Sequence, residues 1–423
     1  MKIAIVGSGI AGNVAARGLY REHEISVYEA AAHVGGHTHT HAVELDGERQ
    51  QVDSGFIVFN DRTYPNFVAL LSELGVAVQH SAMSFSVRNE RSGLEYNGAN
   101  LDTLFAQRRN LFRPPFLRMI REILRFNREA TALLTAKTEF GLGEYLDAHG
   151  YSCEFKNDYL IPMGAAIWST DPRRMLSFPA RFFARFLHNH GMLTLDRRPQ
   201  WLAIRGGSAC YVEKLVAPFR DRIRVNTPVQ SIRRTPAGVL IKADGAEAER
   251  YDYVFLACHA DQALSLLTDA SAVEREVLGA IPYQENEAVL HTDTTLLPRK
   301  RLAWAAWNYH VLREPGQRVA LTYNMNILQN LKSRHTFCVT LNHTAHIAPQ
   351  QIIERMTYHH PLYTPASVAA QQRQHEVNGV NRTSFCGAYW RYGFHEDGVV
   401  SALAALQHFK NVPHAQRDLS RVA

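Results

Sequence analysis

The 423-residue chain lacks the segments that mark membrane-spanning and secreted proteins. No stretch reaches the length of about eighteen apolar residues that a transmembrane helix needs. Met1 is followed at once by an apolar strand, so we expect no signal peptide. The five cysteines form no C-x-x-C pair, and their odd number favours reduced thiols over a disulfide framework. These absences predict a cytoplasmic protein that is soluble or lies on a membrane surface.

Signals of several other function classes are missing as well. Lysine and arginine outnumber aspartate and glutamate by only 46 to 40, without the clustered basic excess of a nucleic-acid-binding protein. Residues 206–208 (Gly-Gly-Ser) lack the lysine and threonine of a phosphate-binding P-loop, and no nucleophile elbow is present. We therefore predict no nucleic-acid partner. The 46% apolar content over this length is enough for a large core divided between two domains.

A glycine-rich turn near the N-terminus dominates what the chain does contain. Residues 3–6 form an apolar run, after which Gly7 allows a tight turn, Gly9 lets the backbone approach a pyrophosphate, and Gly12 lets a helix pack closely on the strand. Glu29 ends the next apolar strand, where its carboxylate would accept hydrogen bonds from an adenosine ribose and repel a 2′-phosphate. The pattern predicts a dinucleotide-binding βαβ unit for which NADP is the least suitable ligand.

A second glycine pair separates FAD from NAD. Residues 35–38 (Gly-Gly-His-Thr) and residues 52–56 (Val-Asp-Ser-Gly-Phe) stand where an NAD enzyme would continue with its next crossover helix. Paired glycines let the chain pass close to a second part of the same ligand. Because the longer flavin dinucleotide needs such extra contacts, we predict FAD.

With these residues the chain resembles the flavin-containing amine oxidase superfamily, which also includes protoporphyrinogen oxidases and phytoene desaturase-like enzymes. Members carry the glycine fingerprint, the ribose acid and a Gly-Gly-Arg-x-x-Thr element. Gly35, Gly36 and Thr40 match that element, whereas His37 replaces its arginine. The resemblance implies an FAD-dependent oxidoreductase with an α/β fold, in which a Rossmann-type FAD-binding domain is interleaved with an α+β substrate domain that contains a mixed sheet.

Later segments extend the resemblance over nearly the whole chain. Residues 224–232 match the segment whose backbone lies next to adenine, at the position of Val229, and residues 253–258 match a strand that returns to the nucleotide-binding sheet. Residues 385–388 and 396–403 match a glycine-opened C-terminal helix, whose N-terminal dipole faces the flavin pyrimidine in the superfamily. The superfamily's covalent cysteine pattern is not reproduced, so the resemblance implies non-covalent FAD.

The predicted cofactor-binding residues combine these matches. They are Gly7, Gly9, Ile10, Ala11, Gly12, Glu29, Ala30, Gly35, Gly36, His37, Thr38, Gly55, Phe56, Val229, Cys258, Gly387, Glu396, Asp397, Gly398 and Val399. No metal site is predicted, because His37, His39 and His41 alternate along one strand face without an accompanying carboxylate or cysteine ligand. Residues 359–361 (His-His-Pro) are predicted to begin a turn.

The catalytic residues are predicted from the resemblance. His395 stands just before the turn at residues 396–398, where amine oxidases place one aromatic wall of an amine-guiding cage. Its imidazole would transfer protons near neutral pH, or it is a structural histidine bonded to a backbone carbonyl. Tyr392 and Tyr309 are the other predicted catalytic residues, and Tyr309 is equally a candidate cavity wall.

Further stretches, including residues 283–286, 322–326 and 393–398, are similar to one bacterial branch of FAD-binding oxidoreductases. That resemblance implies a cyclopropane-fatty-acid-synthase-like methyltransferase as functional partner, and a likeness to the acyl-chain desaturases of furan fatty acid formation. It thus implies removal of hydride from a long apolar substrate, an unsaturated or methyl-branched fatty acyl chain of phospholipid. Two alternatives stay open: an FAD-dependent amine oxidase, and a flavin-bound lipid-binding accessory protein for the methyltransferase.

Changes of pattern along the chain predict two discontinuous domains. Helical spacing dominates the first insertion and strand-like alternation the second, with strands expected at residues 288–292, 319–323 and 337–341. The FAD-binding domain comprises residues 1–63, 205–273 and 380–423, and the substrate domain comprises residues 64–204 and 274–379.

Two predicted helices of the first insertion are basic and amphipathic. One opens with a proline pair and carries its arginines opposite an apolar face, and the other alternates four phenylalanines with two arginines over residues 178–186. They either lie in a bilayer interface, on the inner face of the cell membrane, or bury their apolar faces over the cavity and leave arginine in water. The apolar face of the first helix consists of Phe116, Leu117, Ile120, Ile123 and Leu124.

Overall fold

The computed structural model describes residues 1–136, 140–194, 196, 198–314 and 318–411. Parts of the predicted domains, residues 137–139, 195, 197, 315–317 and 412–423, lie outside the described residues. The strands are β1 (Lys2–Val6), β2 (Glu24–Tyr28), β3 (Thr40–Leu45), β4 (Glu48–Asp53), β5 (Val58–Asn60), β6 (Val78–His80), β7 (Phe85–Asn89), β8 (Leu94–Asn97), β9 (Trp201–Ile204), β10 (Ile223–Arg224), β11 (Val229–Thr235), β12 (Gly238–Ala243), β13 (Glu249–Tyr251), β14 (Tyr253–Leu256), β15 (Tyr283–His291), β16 (Trp307–Val311), β17 (Leu321–Asn324), β18 (Cys338–Leu341), β19 (Ile352–Pro361) and β20 (Thr383–Phe385).

Helices surround these strands, and a π-helical turn at Lys156–Leu160 joins two of them. The α-helices are α1 (Ile10–Leu19), α2 (Pro65–Glu73), α3 (Leu101–Leu104), α4 (Pro114–Glu129), α5 (Leu142–Ala148), α6 (Cys153–Phe155), α7 (Ile161–Trp168), α8 (Ala180–Asn189), α9 (Ala209–Val216), α10 (Ala260–Leu266), α11 (Ala272–Gly279), α12 (Met325–Leu328), α13 (Pro365–Gln371), α14 (Gln374–Val377) and α15 (His395–Asn411).

A five-stranded parallel sheet forms the nucleotide-binding half, with the order β10-β2-β1-β14-β20. The apolar residues 3–6 of β1 are buried because both faces of the sheet are covered. Helices α1, α9 and α15 pack on one face, and α10, α11 and the β11-β12-β13 sheet pack on the other. The Rossmann-type α/β prediction is confirmed, and residues 253–256 return to the sheet as β14.

A seven-stranded mixed sheet, β19-β15-β18-β17-β16-β7-β8, forms the second half. Its pairings are antiparallel except for the parallel pair β7 and β16. The three strands expected from alternating apolar residues are present as β15, β17 and β18. The turn expected at residues 359–361 is wrong, because these residues end the long strand β19 and pair with β15.

The first insertion is less helical than the sequence pattern predicts. Helices α3 to α8 follow one another between residues 101 and 189, but residues 78–97 contain the strands β6, β7 and β8. β6 pairs with β9, and the other two extend the mixed sheet. These strands are three to five residues long, too short for their period to stand out from the helical segments around them.

One segment near the proposed domain boundary packs with the nucleotide-binding half. Phe67 and Leu71 of α2, and Ile204 of β9, belong to the same apolar core as β1 and α15. The division into two discontinuous domains stays a prediction, and these contacts show that residues 64–73 lie on the FAD side of that boundary.

The two amphipathic helices differ in how fully they bury their apolar faces. In α4, which opens with the predicted proline pair, Phe116 is buried whereas Leu117 and Leu124 are 37% and 42% exposed. In α8, Phe183 and Phe186 are buried. Within the described ranges, every helix is too short or too polar to cross a bilayer.

Candidate functional site

The three fingerprint glycines have different surroundings where β1 turns into α1. A Cβ on Gly7, whose φ is +102°, would lie 2.9 Å from the carbonyl oxygen of Ala257. A Cβ on Gly12 would overlap with the carbonyl oxygen of Gly7. A Cβ on Gly9 would have no heavy atom within 4 Å. The fold itself therefore requires Gly7 and Gly12, whereas the space over Gly9 is free for a ligand.

The start of α1 fits a pyrophosphate. Gly9 is the N-cap residue and has no side chain that could accept from the first backbone N–H groups of α1, which include those of Ile10 and Ala11. Such N–H groups, together with the helix dipole, favour an anion. This end of the helix is thus suited to the phosphates of FAD.

Glu29 lies beside this turn and is held by backbone donors. Its Oε2 accepts from the N–H of Ser8 at 2.9 Å and from the Ser8 hydroxyl at 2.6 Å, and its Oε1 accepts from the N–H of Ala31 at 2.8 Å. Ala30 lies between Glu29 and Ala31 in the sequence. A carboxylate offers about four acceptor positions, so capacity remains for a ribose hydroxyl.

The second glycine pair lies directly against the first turn. The N–H of Gly35 donates to the Ser8 carbonyl at 3.0 Å, and Gly35 has a φ of +132°. A Cβ on Gly36 would lie 3.1 Å from the Cα of Gly9. Both glycine elements therefore border one space, as a single extended ligand requires.

The segment before β5 is fixed by a buried carboxylate. Gly55 packs so closely on His37 that a Cβ would overlap the His37 carbonyl oxygen, which also accepts from the N–H of Phe56 at 2.8 Å. Asp53 accepts from the N–H and hydroxyl of Ser208 at 2.9 and 2.7 Å. Burial raises the pKa of Asp53 to about 6. Through Ser208, the residue before α9, this helix is hydrogen-bonded to Asp53 in the segment before β5.

The residues predicted to lie near adenine and behind the turn are close to Glu29 and Gly7. The N–H of Thr227, two positions before Val229, donates to the Glu29 carbonyl at 2.8 Å. The backbone nitrogen of Cys258 would be 3.2 Å from a Cβ on Gly7, and burial raises the pKa of the Cys258 thiol to about 12. FAD contacts at Val229 and Cys258 stay predictions.

The first turn of α15 packs against the start of α1. A Cβ on Gly398 would lie 2.7 Å from Cγ2 of Ile10, and Val399 is buried in the same core. The N–H of Gly387, after β20, donates to the Ser401 hydroxyl at 3.0 Å. These contacts set the N-terminus of α15 beside the glycine-rich turn.

The carboxylates of Glu396 and Asp397 are engaged within the protein. Glu396 accepts from the backbone N–H groups of Asn66 and Phe67 and so caps α2. Asp397 accepts from the N–H groups of Tyr392 and Phe394. Contact of Glu396 and Asp397 with FAD stays a prediction, and these side-chain bonds restrict it to their backbone atoms.

A cavity of about 240 Å³, here termed the apolar cavity, is bordered by both halves of the molecule. Its polar lining includes four imidazoles, and none of the described lining residues is aspartate, glutamate, lysine or arginine. Its apolar walls include Phe56, Ile57, Met83, Phe85, Met163, Ile167, Trp168, Phe186, Trp307 and Tyr323. The four imidazoles belong to His37, His190, His360 and His395.

His395 occupies a fixed position in this lining. Its ring stacks on Phe56 with a centroid distance of 3.7 Å, and its Nε2 is 2.6 Å from the hydroxyl of Tyr211. Tyr211 in turn is 2.8 Å from the hydroxyl of Thr38. Burial lowers the pKa of His395 to about 3, so the imidazole is neutral at physiological pH and can exchange a hydrogen bond with Tyr211.

The two predicted catalytic tyrosines lie in different places. Tyr392 lines the apolar cavity with His395. Tyr309 is buried in β16 and lines a separate polar cavity with Asp158 and Arg318. Helix α7 divides the space over the sheet, since its start borders the polar cavity and its end borders the apolar one. The catalytic roles of Tyr392 and Tyr309 stay predictions, and the two side chains line different cavities.

The three alternating histidines do not share one environment. The ring of His39 stacks between those of His33 and His41 at 4.2 and 4.1 Å. His37 instead lies 5.4 Å from the ring of His360, at the apolar cavity. Among the described residues, no group of three histidines, cysteines or acidic side chains is arranged to hold a metal ion.

Several residues of the site were not identified from the sequence. Tyr211 is one of them, although it contacts both Thr38 and His395. Trp168 comes from the helical insertion and gives no local signal of its role, whereas Phe186 lies on the amphipathic helix for which a position over the cavity was one alternative. His360 does carry one, because it alternates with Tyr358 along a strand that faces the site.

The buried neutral imidazoles predict acid lability. Burial lowers the pKa of His190 and His291 to about 4, and of His310 and His395 to about 3, against about 6.5 in an unfolded chain. Below about pH 6.5 the unfolded chain therefore binds more protons, and the free energy of unfolding falls as the pH falls. We expect a loss of about 1 kcal/mol for each such imidazole between about pH 7.5 and pH 5.5.

Urea denaturation of the protein at the two pH values measures this loss. Asp53 and Asp397 act in the opposite direction, because burial raises their pKa to about 6. A His310→Asn variant should show a smaller fall in stability between the two pH values than the parent. Equal stability of the parent at both values would contradict the prediction.

Comparisons with known proteins agree with this arrangement. The sequence model of the family described as flavin containing amine oxidoreductase matches residues 10–296. The search of curated proteins finds no match.

Solved structures share the fold over almost the whole chain. Cyclohexylamine oxidase from Brevibacterium oxydans IH-35A is 15% identical, with 97% of this chain and 99% of that chain covered and a TM-score of 0.69. Putrescine oxidase bound to putrescine is 14% identical, with 97% and 99% covered and a TM-score of 0.68. A fatty acid isomerase from P. acnes that produces CLA is 16% identical, with 96% and 98% covered and a TM-score of 0.68.

Proposed function

Because the chain belongs to the flavin containing amine oxidoreductase family and is an FAD-dependent oxidoreductase, we propose that it acts as a desaturase or dehydrogenase on a long apolar substrate. The proposed substrate is an unsaturated or methyl-branched fatty acyl chain of phospholipid. A fatty acid isomerase shares the fold, so the fold accommodates an acyl chain in at least one protein.

The lining of the apolar cavity is the observation that carries this proposal. Its walls are aromatic and aliphatic, and its described polar groups are neutral at physiological pH or uncharged by nature. An acyl chain would gain free energy here by leaving water. An ammonium group would lose its hydration without meeting a carboxylate, and aromatic faces such as those of Trp307 and Tyr323 would compensate in part.

The residues of the glycine-rich turn fit the cofactor that the family uses. Bound FAD supplies the hydride acceptor for the oxidation. The chain's own part is to hold the pyrophosphate at Gly9, the ribose at Glu29 and the apolar substrate in a cavity that excludes water. Phe56 and His395, the first residue of α15, form a stacked pair in the lining of the cavity.

We propose that Tyr211 positions His395 for contact with the substrate. A Tyr211→Phe variant removes the hydroxyl 2.6 Å from Nε2 and frees the imidazole to choose another tautomer. We expect kcat to fall by about tenfold with little change in KM, because ring orientation and not binding is affected.

The pH profile of kcat, measured with Tyr211→Phe and with a control variant, checks the role of Tyr211. Tyr253→Phe is the matched control, since Tyr253 is equally buried and its hydroxyl is 2.9 Å from Ser384, far from the cavity lining. A merely structural role would lower the melting temperature of both variants alike and leave both kcat values near that of the parent.

Anaerobic reduction tests the proposed function. The visible spectrum of the purified holoenzyme is recorded before and after addition of phospholipid with methyl-branched, unsaturated acyl chains. Loss of the flavin absorbance near its long-wavelength maximum is the expected result. Bleaching by cyclohexylamine or putrescine alone would make the protein an amine oxidase, in which aromatic walls would face the amine. Retention of lipid without any bleaching would indicate the accessory protein for a methyltransferase.

We also propose a peripheral membrane contact, at the segment that runs from the start of α3 to Phe112, just before α4. Phe112 is 87% exposed and Leu101 75% exposed, and the arginines Arg108 and Arg109 beside them are exposed as well. Apolar side chains flanked by cations are typical of surfaces that dock on anionic lipid. This segment, and not the buried face of α8, is the part suited to that contact.

A Phe112→Ser variant tests the membrane contact. Removal of one inserted phenylalanine should weaken binding to phosphatidylglycerol vesicles by about ten- to hundredfold, because about 1.5 to 3 kcal/mol of apolar burial is lost. Co-sedimentation with the vesicles measures the change. Leu403→Ser is the control, since Leu403 is 43% exposed on α15, away from this basic segment. Equal binding of the two variants would contradict the proposal.

A further inference from the structure

A second cavity of about 380 Å³ lies directly beside the apolar cavity, and we term it the vestibule. The two cavities share the lining residues Tyr64, His190, Tyr392 and Phe394. The wall between them is therefore one layer of side chains thick.

The vestibule faces solvent on its other side. Arg62, Asn189 and Arg391 line it and are exposed, whereas His190 and Phe394 at its inner end are buried or half-buried. A molecule that comes from solvent or from a membrane surface would meet the two guanidinium groups first and the aromatic wall next. The apolar cavity lies behind that wall.

The carboxylates of the vestibule are held by backbone N–H groups of the protein. Glu396 is bound by the N–H groups that start α2, and Asp397 accepts from the N–H groups of Tyr392 and Phe394. Arg391 contacts Asp397 through Nε at 3.3 Å, and its side chain is 48% exposed. The amino edge of this guanidinium is thus accessible to a second oxyanion, in the fork geometry that carboxylate and phosphate favour.

The wall between the two cavities consists of aromatic and imidazole rings, and none of the residues that carry them lies in a strand. Tyr392 packs on Phe182 at 4.8 Å, and Phe394 packs on Phe186 at 5.1 Å. Between them, Gly393 has a φ of +88°, which lets the chain reverse so that both rings border both cavities. A passage between the two spaces requires these rings to rotate.

We propose that the vestibule binds the anionic head of an amphiphilic substrate whose apolar chain lies in the apolar cavity. This inference rests on the proposed function, and it adds that an acidic head is recognised, by Arg62 and Arg391. A free carboxylate and a lipid phosphate share this chemistry.

Binding measured apart from turnover tests the inference. Oleate, oleyl alcohol and 1-oleoyl lysophosphatidate, each below its micelle concentration, are titrated into the oxidised holoenzyme, and binding is read from the tryptophan fluorescence of Trp168 and Trp307, which line the apolar cavity. We expect oleate or the lysophosphatidate to bind at least about fivefold more tightly than the alcohol, with an advantage that shrinks as salt is added. The acid that binds more tightly identifies the source of the head.

Variants assign the effect to the vestibule. In the Arg62→Gln/Arg391→Gln double variant the advantage of the acids over the alcohol should disappear. The Arg62→Gln/Arg391→Lys double variant should show part of that advantage, because it keeps one cation. Arg318→Gln is the matched control, because Arg318 is 46% exposed and has one carboxylate neighbour at 3.5 Å, but lines the polar cavity beyond α7. Flavin content and melting temperature show whether each variant is folded.

Equal binding of the acids and the alcohol by the parent would overturn the inference, as would an advantage that survives in the double variant. Failure of the proposed function is seen separately. Acids that bind through the two arginines without anaerobic bleaching would support the vestibule and reject oxidation of the chain.

Discussion

Replacing Gly9 with valine is expected to leave the fold intact and to abolish binding of FAD. Gly9 has φ and ψ of −67° and −179°, which a β-branched residue adopts readily, and a Cβ there would meet no protein atom within 4 Å. The side chain would instead fill the space in which the pyrophosphate approaches the start of α1. We expect the affinity for FAD to fall more than about a hundredfold, because both the close approach and the backbone hydrogen bonds are lost.

The visible absorbance of the purified variant, before and after addition of FAD, measures this loss. The melting temperature of the variant should equal that of the FAD-free parent protein. Gly12→Val is the informative contrast, because its side chain would overlap the Gly7 carbonyl and prevent α1 from packing on β1. A folded, fully yellow Gly9→Val protein would refute the assignment of this turn to the cofactor.

The second large effect is expected from Arg234→Ala, through stability. The Arg234 and Glu274 side chains are 3% and 2% exposed and form a buried ion pair, which Asp269 extends at 3.0 Å. Removal of the arginine leaves a carboxylate buried without its cation, and we expect the free energy of unfolding to fall by about 3 to 5 kcal/mol. Urea denaturation at neutral pH measures the change.

Arg373→Ala is the matched control for this prediction. Arg373 pairs with Glu276 and Glu376, so it also has two carboxylate neighbours, but its side chain is 34% exposed and that of Glu276 is 65% exposed. An ion pair in contact with water contributes about 0 to 1 kcal/mol. If both variants lost the same small amount, burial of the Arg234 pair would not matter as proposed.

The nucleotide-binding half was predictable because its signals are local. The turn at Gly7 and the acid at Glu29 lie within one βαβ unit. The positive φ at position 7 favours glycine, and position 29 needs a carboxylate as hydrogen-bond acceptor. The strands β15, β17 and β18 were predictable for a similar reason, since alternation over four or more residues marks them.

The substrate side was harder because its contacts come from distant parts of the chain. Tyr211 meets His395 across 184 positions, and no local pattern announces such a pair. The cavity that Tyr309 lines could not be predicted either, because α7 lies across the same sheet face and a strand period cannot reveal a helix that crosses it. The strands β6, β7 and β8 were not predicted, because they are too short for their period to stand out from the helical segments around them.

The parallel sheet has a consequence for biosynthesis. β1 leaves the ribosome well before its neighbour β14, because the Lys2 amide donates to Asp252 across 250 positions, and β20 closes the edge later still. At a synthesis rate of about 5 to 20 residues per second, an apolar strand waits roughly ten seconds or more for its partner. Folding of this sheet is therefore completed only after β20 has been synthesised, and the nascent βαβ unit of β1, α1 and β2 is a natural client for a chaperone.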